Sequence, residues 1–174
     1  MKCLVVIDVQ NDFVSGSLGT PEAQAMLPRL EEKLRGFEGC VWMTLDTHGA
    51  DYMDTQEGKH LPVPHCVRET EGWQLAGELG KLAESFGAGI VEKPTFGSEE
   101  LVASLKALYE AGELESIELV GLCTDICVVS NALMLKAAMP ELPMSVDSAC
   151  CAGVTPQKHE AALEVMRSCQ IAVK

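Results

Sequence analysis

The chain has 174 residues, enough for one domain that buries most of its apolar surface without disulfides or metals to hold it together. Its formal net charge of -13 argues against nucleic acid and anionic membranes as partners, because both bind basic faces. No stretch reaches the roughly 18 uninterrupted apolar residues of a membrane-spanning helix, so no such helix is predicted.

The start of the chain and its cysteines bear on the compartment. The first apolar run is interrupted by Asp8 and is too short for a signal peptide. The eight cysteines are scattered, several inside apolar runs, and show no repeated zinc-finger spacing. We therefore interpret most of them as small buried residues in a reducing compartment, and we expect a cytoplasmic location.

Short apolar runs alternate with amphipathic segments along the chain. Runs rich in β-branched residues predict strands at residues 3–9, 40–47, 88–93, 116–122, 142–147 and 170–174. Helical spacing of apolar residues predicts helices at 22–37, 73–86, 98–112, 125–139 and 155–169. Ser98 and Thr155 suit two of the helix starts. The alternation predicts a single α/β domain over residues 1–174, a three-layer α/β/α sandwich with a six-stranded, mainly parallel sheet.

Polar or reactive side chains stand where four of the predicted strands end. In a parallel sheet, ligands bind beyond the carboxyl ends of the strands, so these side chains are candidates for one site. A single strand-end Asp or Lys is more often a turn or solvated residue, but four strand ends that supply complementary chemistry favour a function. The residues are Asp8, Asp46 with His48, Lys93, and Cys123 followed by Cys127.

Cys127 has the position of a nucleophile. It lies near the predicted start of a helix, where free N–H groups and the helix dipole favour a thiolate, and Lys93 would add to this effect. Asp8 is suited to accept the thiol proton and return it to a leaving group. The backbone N–H groups of Cys123 and Cys127 are candidates for an oxyanion hole.

Asp46 and His48 are a candidate metal pair. Their i, i+2 spacing places both side chains on one face of a strand. His65 returns from the long segment 48–72, which is too long for a simple connector. One carboxylate and two imidazoles with open positions suit zinc, iron or manganese, although this spacing is also found without a metal.

Several ordered motifs resemble those of the isochorismatase-like cysteine hydrolases and, among them, the nicotinamidases and their relatives. The resemblance runs along nearly the whole chain, and it is the order of the motifs that makes it specific. The motifs are VVIDVQNDF (5–13), TLDTH (44–48), PHC (64–66), EKPTFGS (92–98), VGLCTDICV (120–128) and SVDSACCAG (145–153).

The resemblance implies an activity and roles for particular residues. It implies hydrolysis of nicotinamide to nicotinate and ammonia through a cysteine thioester. The implied triad is Asp8, Lys93 and Cys127, and the implied metal ligands are Asp46, His48 and His65 with water, most simply around zinc. It also implies a cis peptide between Leu122 and Cys123, a substrate wall that includes Phe13 and Leu122, and a homo-oligomer. Trp73 or Phe96 would supply a second wall.

Two positions depart from the nicotinamidase pattern. Pro62 stands where many nicotinamidases have an aromatic residue, and Asp54 stands where some relatives have a further histidine ligand. Other readings therefore stay open: hydrolysis of another small amide or ureido compound, an isochorismatase-type hydrolase, an inactive ligand-binding homologue, or a thiol–disulfide protein that uses Cys123 and Cys127. Asp125 is expected to cap the helix of Cys127, and His159 to be solvated on a surface helix.

Overall fold

The centre of the structure is a six-stranded sheet in which every neighbouring pair of strands is parallel. The structure is a computed structural model and describes residues 1–174. The strands are β1 (Lys2–Ile7), β2 (Cys40–Asp46), β3 (Gly89–Lys93), β4 (Ser116–Leu122), β5 (Met144–Ala152) and β6 (Ala172–Val173). Their order across the sheet is β3-β2-β1-β4-β5-β6.

Helices cover both faces of this sheet, which confirms the predicted three-layer architecture. They are α1 (Asn11–Val14), α2 (Pro21–Arg35), α3 (Gln56–His60), α4 (Leu79–Phe86), α5 (Glu99–Glu110), α6 (Val129–Ala138) and α7 (Pro156–Ser168). One buried apolar cluster joins α1, α2 and α4 to the sheet, and a second joins α5, α6 and α7 to its other face. None of the helices is long and apolar enough to cross a membrane.

Two strands end more than one residue away from their predicted ends. Strand β1 was predicted to continue to residue 9, but it ends at Ile7 because Asp8 turns into the left-handed region with φ 48°. Strand β5 was predicted to end at residue 147, but it continues to Ala152. Its pairing with β4 shifts register between Leu119 and Gly121. The polar residues in the middle of β5 therefore interrupt the apolar pattern of the sequence, but the strand continues beyond them.

The predicted helix 73–86 begins only at Leu79. The residues before it are held in an extended and turning path, because Leu75 forms an isolated antiparallel bridge with Gln10 and Gly77 has φ 58°. The short helices α1 and α3 were not predicted, since four or five residues are too few to show a helical period. Ser98 and Thr155 do cap α5 and α7, accepting hydrogen bonds from Leu101 N and Lys158 N.

The strand order places the ends of β1 and β4 at the point where the chain changes direction across the sheet. The chain proceeds from β1 to β2 and β3 on one side, then continues with β4 on the other side of β1. A crevice at such a switch point is the usual ligand site of an open parallel sheet. Here Gly121 has φ 119°, and a Cβ atom on it would lie 2.1 Å from the Ile7 carbonyl oxygen, so only glycine lets these two strands meet.

Candidate active site

Asp8, Lys93 and Cys127 meet at this switch point, although they come from β1, β3 and the turn after β4. Lys93 Nζ lies 2.6 Å from Asp8 Oδ2 and 3.6 Å from Cys127 Sγ. The three residues are 0%, 1% and 4% exposed. A buried ammonium with a carboxylate on one side and a thiol on the other is an arrangement that stabilises negative charge on sulfur.

Both oxygens of the Asp8 carboxylate have a close polar partner. Oδ1 accepts a hydrogen bond from Thr44 Oγ1 at 2.6 Å. Oδ2 forms an ion pair with the Lys93 ammonium at 2.6 Å. Burial raises the pKa of Asp8, while Lys93 opposes that rise without cancelling it. The raised pKa makes Asp8 a better proton acceptor than an ordinary exposed carboxylate.

Lys93 is charged in this environment. Burial works to lower the pKa of Lys93, but the carboxylates of Asp8 and Asp46 more than offset it and raise that pKa. Its ammonium also donates to the Thr95 carbonyl oxygen at 2.9 Å, which fixes its direction. Lys93 is thus a fixed positive charge rather than a proton donor.

The expected lowering of the Cys127 pKa is not found. Burial raises the pKa of the Cys127 thiol well above its ordinary value, Asp8 raises it further, and Lys93 offsets only part of the rise. Cys127 also lies within a π-helical turn, Thr124–Val128, and the regular helix α6 begins only after this turn. The residue is therefore a thiol at rest, and a role as nucleophile would require a base, for which Asp8 is the candidate.

Contacts from α7 and the segment before it hold the π-helical turn Thr124–Val128, which contains the candidate nucleophile and is called the nucleophile turn below. Thr124 Oγ1 and His159 Nδ1 are 2.8 Å apart, and the Asp125 carboxylate accepts a hydrogen bond from Val154 N at 2.9 Å. The expectation that His159 would be solvated is wrong, because this half-buried side chain bonds to a fully buried hydroxyl. The expectation that Asp125 would cap the helix of Cys127 is also wrong, since that carboxylate bonds outside the helix.

Asn131 joins the nucleophile turn to the loop after β3. Its amide nitrogen donates to the carbonyl oxygens of Cys127 at 2.8 Å and Phe96 at 3.0 Å. Its amide oxygen accepts from Ser98 N at 2.9 Å. The side chain is fully buried and bonds both to its own helical segment and to residues 33 and 35 positions away, so it links the segments that carry Cys127 and Lys93.

Asp46, His48 and His65 lie together, and the structure adds Glu57 to them. Ligand atoms of the four residues all lie within 4.8 Å of one another. Asp46 Oδ2 is 2.9 Å from His48 Nε2 and 3.5 Å from His65 Nε2. Glu57 Oε1 is 3.8 Å and 3.6 Å from the same two nitrogens.

These distances fit a metal ion. Zinc–ligand bonds of about 2.0–2.1 Å in a tetrahedron place neighbouring ligand atoms about 3.3 Å apart, within the range observed here. His65 Nδ1 lies 2.8 Å from the Val63 carbonyl oxygen, which leaves Nε2 free to bind. Burial tends to raise the pKa of Asp46, but hydrogen bonds from His48 and His65 hold it below its usual range, so the carboxylate is ionised.

Glu57 was not among the metal ligands predicted from the sequence. Asp54, which stands where some relatives have a further histidine ligand, is not part of the metal-type group. Glu57 follows the cap residue Thr55 in the first turn of α3, and that turn directs it towards the histidines. Burial and the Asp46 charge raise the pKa of Glu57, an unfavourable crowding of carboxylates that a cation would relieve. The only available signal was an acidic residue between two histidine ligands, and residues 49–64 contain three of these.

A single cavity of about 890 Å³ opens over both groups. Cys127, Asp46, His48, His65 and Glu57 lie in its wall. Phe13 and Leu122 also line it, and the Phe13 ring lies 5.4 Å from the His65 ring, measured between centroids. Phe96 lines the cavity, whereas Trp73 lies outside the lining and donates from Nε1 to Thr47 Oγ1 at 2.8 Å.

Cys123 lies between the end of β4 and the π-helical turn that contains Cys127. The peptide between Leu122 and Cys123 is cis. The Cys123 carbonyl accepts from Ile126 N at 3.0 Å and Val128 N at 3.1 Å. The side chain lines the cavity without approaching another cysteine closely enough for a disulfide, and all eight cysteines are free.

Known proteins resemble the chain over nearly its full length. Nicotinamidase/pyrazinamidase from Mycobacterium tuberculosis is 29% identical, and the match covers 98% of this chain and 97% of that protein. The crystal structure of nicotinamidase/pyrazinamidase PncA from Bacillus subtilis is 29% identical with a TM-score of 0.82, and the match covers 99% of this chain and 98% of that one. The pyrazinamidase of Pyrococcus horikoshii, solved in complex with zinc, is 25% identical with a TM-score of 0.80 over the same shares.

A family model agrees with these similarities. The isochorismatase domain matches residues 2–173, so every segment that contributes to the site lies within the matched region. Together with the parallel sheet and the residues gathered at its switch point, this match shows that the chain belongs to the isochorismatase family.

Proposed function

We propose that the protein is a metal-containing cysteine amidohydrolase that converts nicotinamide and water to nicotinate and ammonia. The observation that carries the proposal is that Asp8 and Lys93 meet Cys127 in the wall of a cavity that the four-residue metal-type group also lines. Relatives named nicotinamidase at 29% identity support the same substrate.

The reaction begins with a proton transfer inside the triad. Cys127 Sγ attacks the amide carbon as its proton passes to the Asp8 carboxylate, whose pKa burial raises. Lys93 stabilises the negative charge that develops on sulfur, because its ammonium is 3.6 Å from Sγ and nearly fully buried. This assignment explains why a thiol with a raised pKa is still competent to react.

The second half of the reaction uses the same carboxyl group in reverse. The carbonyl oxygen becomes an oxyanion, for which the backbone N–H groups of Cys123 and Cys127 are the donors. Asp8 then returns its proton to the departing nitrogen, and ammonia leaves with the Cys127 thioester formed. Asp8 next accepts a proton from water that attacks the thioester, which releases nicotinate and restores the thiol.

The metal-type group would orient the substrate. Asp46, His48, His65 and Glu57 would hold a divalent cation, for which zinc suits the two imidazoles and the spacing of the ligand atoms. Such an ion supplies a Lewis acid for a ring nitrogen. Phe13 and Leu122 would pack against the ring and direct its carboxamide towards Cys127.

Ammonia release by the purified, zinc-loaded protein tests the proposal. Nicotinamide should be hydrolysed by the native protein and by Cys169→Ala, whose cysteine lies outside the cavity. Cys127→Ala should be inactive, because it removes the nucleophile. Activity that persists in Cys127→Ala would overturn the mechanism. An inactive native protein with its metal bound would overturn the substrate assignment.

Another small amide or ureido compound is the second candidate substrate. Pro62 is exposed and does not line the cavity, so this chain lacks an aromatic side chain at a position where nicotinamidases commonly have one. A panel of small amides and ureido compounds, scored by ammonia release, separates the two candidates. The compound with the highest kcat/KM identifies the substrate class.

The setting of the enzyme is also proposed. Eight free cysteines support a reducing, cytoplasmic compartment. The family match over residues 2–173 supports a single domain. A homo-oligomer stays a prediction from the resemblance, and light scattering of the purified protein would test it.

A further inference from the structure

The cavity is larger than a simple aromatic amide requires. Its volume of about 890 Å³ is near the upper end of the roughly 300–1,000 Å³ range that accommodates drug-sized ligands. Nicotinamide has a single six-membered ring and one carboxamide group. With that carboxamide at Cys127, the ring fills only the inner part of the cavity, and space remains between the ring and the mouth.

The mouth of this cavity is apolar. Leu61, Phe96 and Val154 line it while remaining 36%, 47% and 41% exposed, and they are three of the seven exposed large hydrophobic side chains of the chain. Ile126 lines the cavity beside them and is half-buried. Exposed apolar residues are normally scattered singly, so their concentration around one opening indicates that an apolar group binds there.

The charges in the wall favour a neutral occupant over an anionic one. Lys158 is the only lysine or arginine in the lining, and Asp51 is its only acidic residue outside the metal-type group, so the side chains outside that group supply no excess of positive charge. A site for a phosphate or carboxylate needs an excess of positive charge, which this opening lacks. The group that fits is therefore apolar and uncharged.

We propose that the preferred substrates are aromatic or heteroaromatic carboxamides that carry an apolar substituent on the ring. The carboxamide carbon lies at Cys127 Sγ, and the substituent extends to Leu61, Phe96 and Val154. This inference rests on the proposed amidohydrolase function. The chemistry is unchanged: the C–N bond breaks, a C–S bond forms, ammonia leaves with the proton from Asp8, and water then replaces sulfur with oxygen.

A substrate series tests the inference. The zinc-loaded protein is assayed with nicotinamide and with nicotinamides that carry one phenyl group at each free ring carbon in turn. Burying a phenyl group at the mouth should raise kcat/KM for at least one of these compounds by about 10- to 100-fold over nicotinamide. Ammonia release measures every member of the series in the same way.

Matched variants locate the effect. Phe96→Ala and Val154→Ser should each reduce the ratio of kcat/KM for the best phenyl compound to that for nicotinamide. Val165→Ser is the control, because Val165 is 46% exposed on α7 but lies outside the cavity lining. This control should leave the ratio unchanged.

The outcomes separate this inference from the proposed function. Hydrolysis of nicotinamide together with slower hydrolysis of every phenyl compound would overturn the inference and leave the proposed function in place. No hydrolysis of any compound by the metal-loaded protein would instead overturn the proposed function. An unchanged ratio in Phe96→Ala and Val154→Ser, with a change of molecular mass in light scattering, would assign the mouth to contact between copies of the chain and overturn the inference.

Discussion

Replacement of Lys93 by methionine should destabilise the protein in a pH-dependent way. The ammonium lies 2.6 Å from Asp8 Oδ2 and 3.5 Å from Asp46 Oδ1, and all three residues are almost fully buried. Lys93→Met leaves two neighbouring carboxylates without their shared cation. Removing one partner of a buried pair costs about 3–5 kcal/mol.

Proton uptake by Asp8 sets the size of this loss and its pH dependence. An Asp that must be neutral in the folded variant, with an unfolded pKa of about 3.9, costs about 4 kcal/mol at pH 7 and about 1.5 kcal/mol at pH 5. Because Lys93 opposes the rise in the Asp8 pKa, its loss raises the folded pKa further, so the added penalty is absent below the unfolded pKa and grows as the pH rises. A loss of about 4 kcal/mol corresponds to a fall in Tm of about 8–16 °C.

Urea unfolding of the metal-free protein at several pH values measures this effect. The matched control is Lys106→Met, because Lys106 forms only an exposed i, i+4 pair with Glu110 and should change stability by less than about 0.5 kcal/mol. A loss below about 1 kcal/mol at pH 7 in Lys93→Met, or an equal loss at pH 5 and pH 7, would refute the assignment of Lys93 as the cation that keeps Asp8 ionised.

Three further predictions concern the nucleophile turn and the opposite end of the sheet. Cys123→Ala should keep substantial ammonia release from nicotinamide because only its backbone acts; loss as complete as in Cys127→Ala would contradict this. His159→Leu should lower kcat about 10- to 100-fold with little change in KM, because the turn is displaced, and His159→Asn should restore it; equal loss in both variants, or a change in KM alone, would argue against a positioning role. Lys33→Met should lower stability by about 1–3 kcal/mol in urea unfolding, because Lys33 lies 2.5 Å and 2.8 Å from two half-buried carboxylates, those of Glu118 and Asp147. Hydrogen bonds donated by Lys33, joined at Glu118 by one from Lys174, lower the pKa of both carboxyls against the effect of burial. The same contacts raise the pKa of Lys33, so this loss should be full between about pH 4 and pH 10 and shrink outside that range; a loss independent of pH would contradict it.

The architecture was predictable because alternating apolar runs and amphipathic segments are typical of a parallel sheet covered by helices. Each strand is an apolar run and each connection contains an amphipathic helix, so the layers and the carboxyl-end site follow from local patterns. Asp8, Asp46 and Lys93 were identifiable as strand-end residues for the same reason. The end of β1 was misplaced by two residues, because nothing local shows that Asp8 adopts a positive φ.

Features that depend on distant segments were not predictable. The position of Cys127 near a helix start suggested a lowered pKa, but burial by surrounding elements outweighs that local effect and raises the pKa. Glu57 could not be distinguished from the other carboxylates of its loop until the loop was folded over His48 and His65. His159 lies thirty-five residues from Thr124 in the chain, and only packing of α7 brings them together.

The buried amide of Asn131 positions catalytic groups although it does not take part in the reaction. It bonds to the Cys127 carbonyl, to Phe96 in the loop that follows Lys93, and to the cap residue of α5. Cys127 and Lys93 lie thirty-four residues apart in the chain, and the Asn131 amide links the two segments that carry them. A natural substitution at position 131 should therefore have the same effect as a substitution in the active site. It would disturb the alignment of the catalytic atoms, although residue 131 belongs to the helical layer.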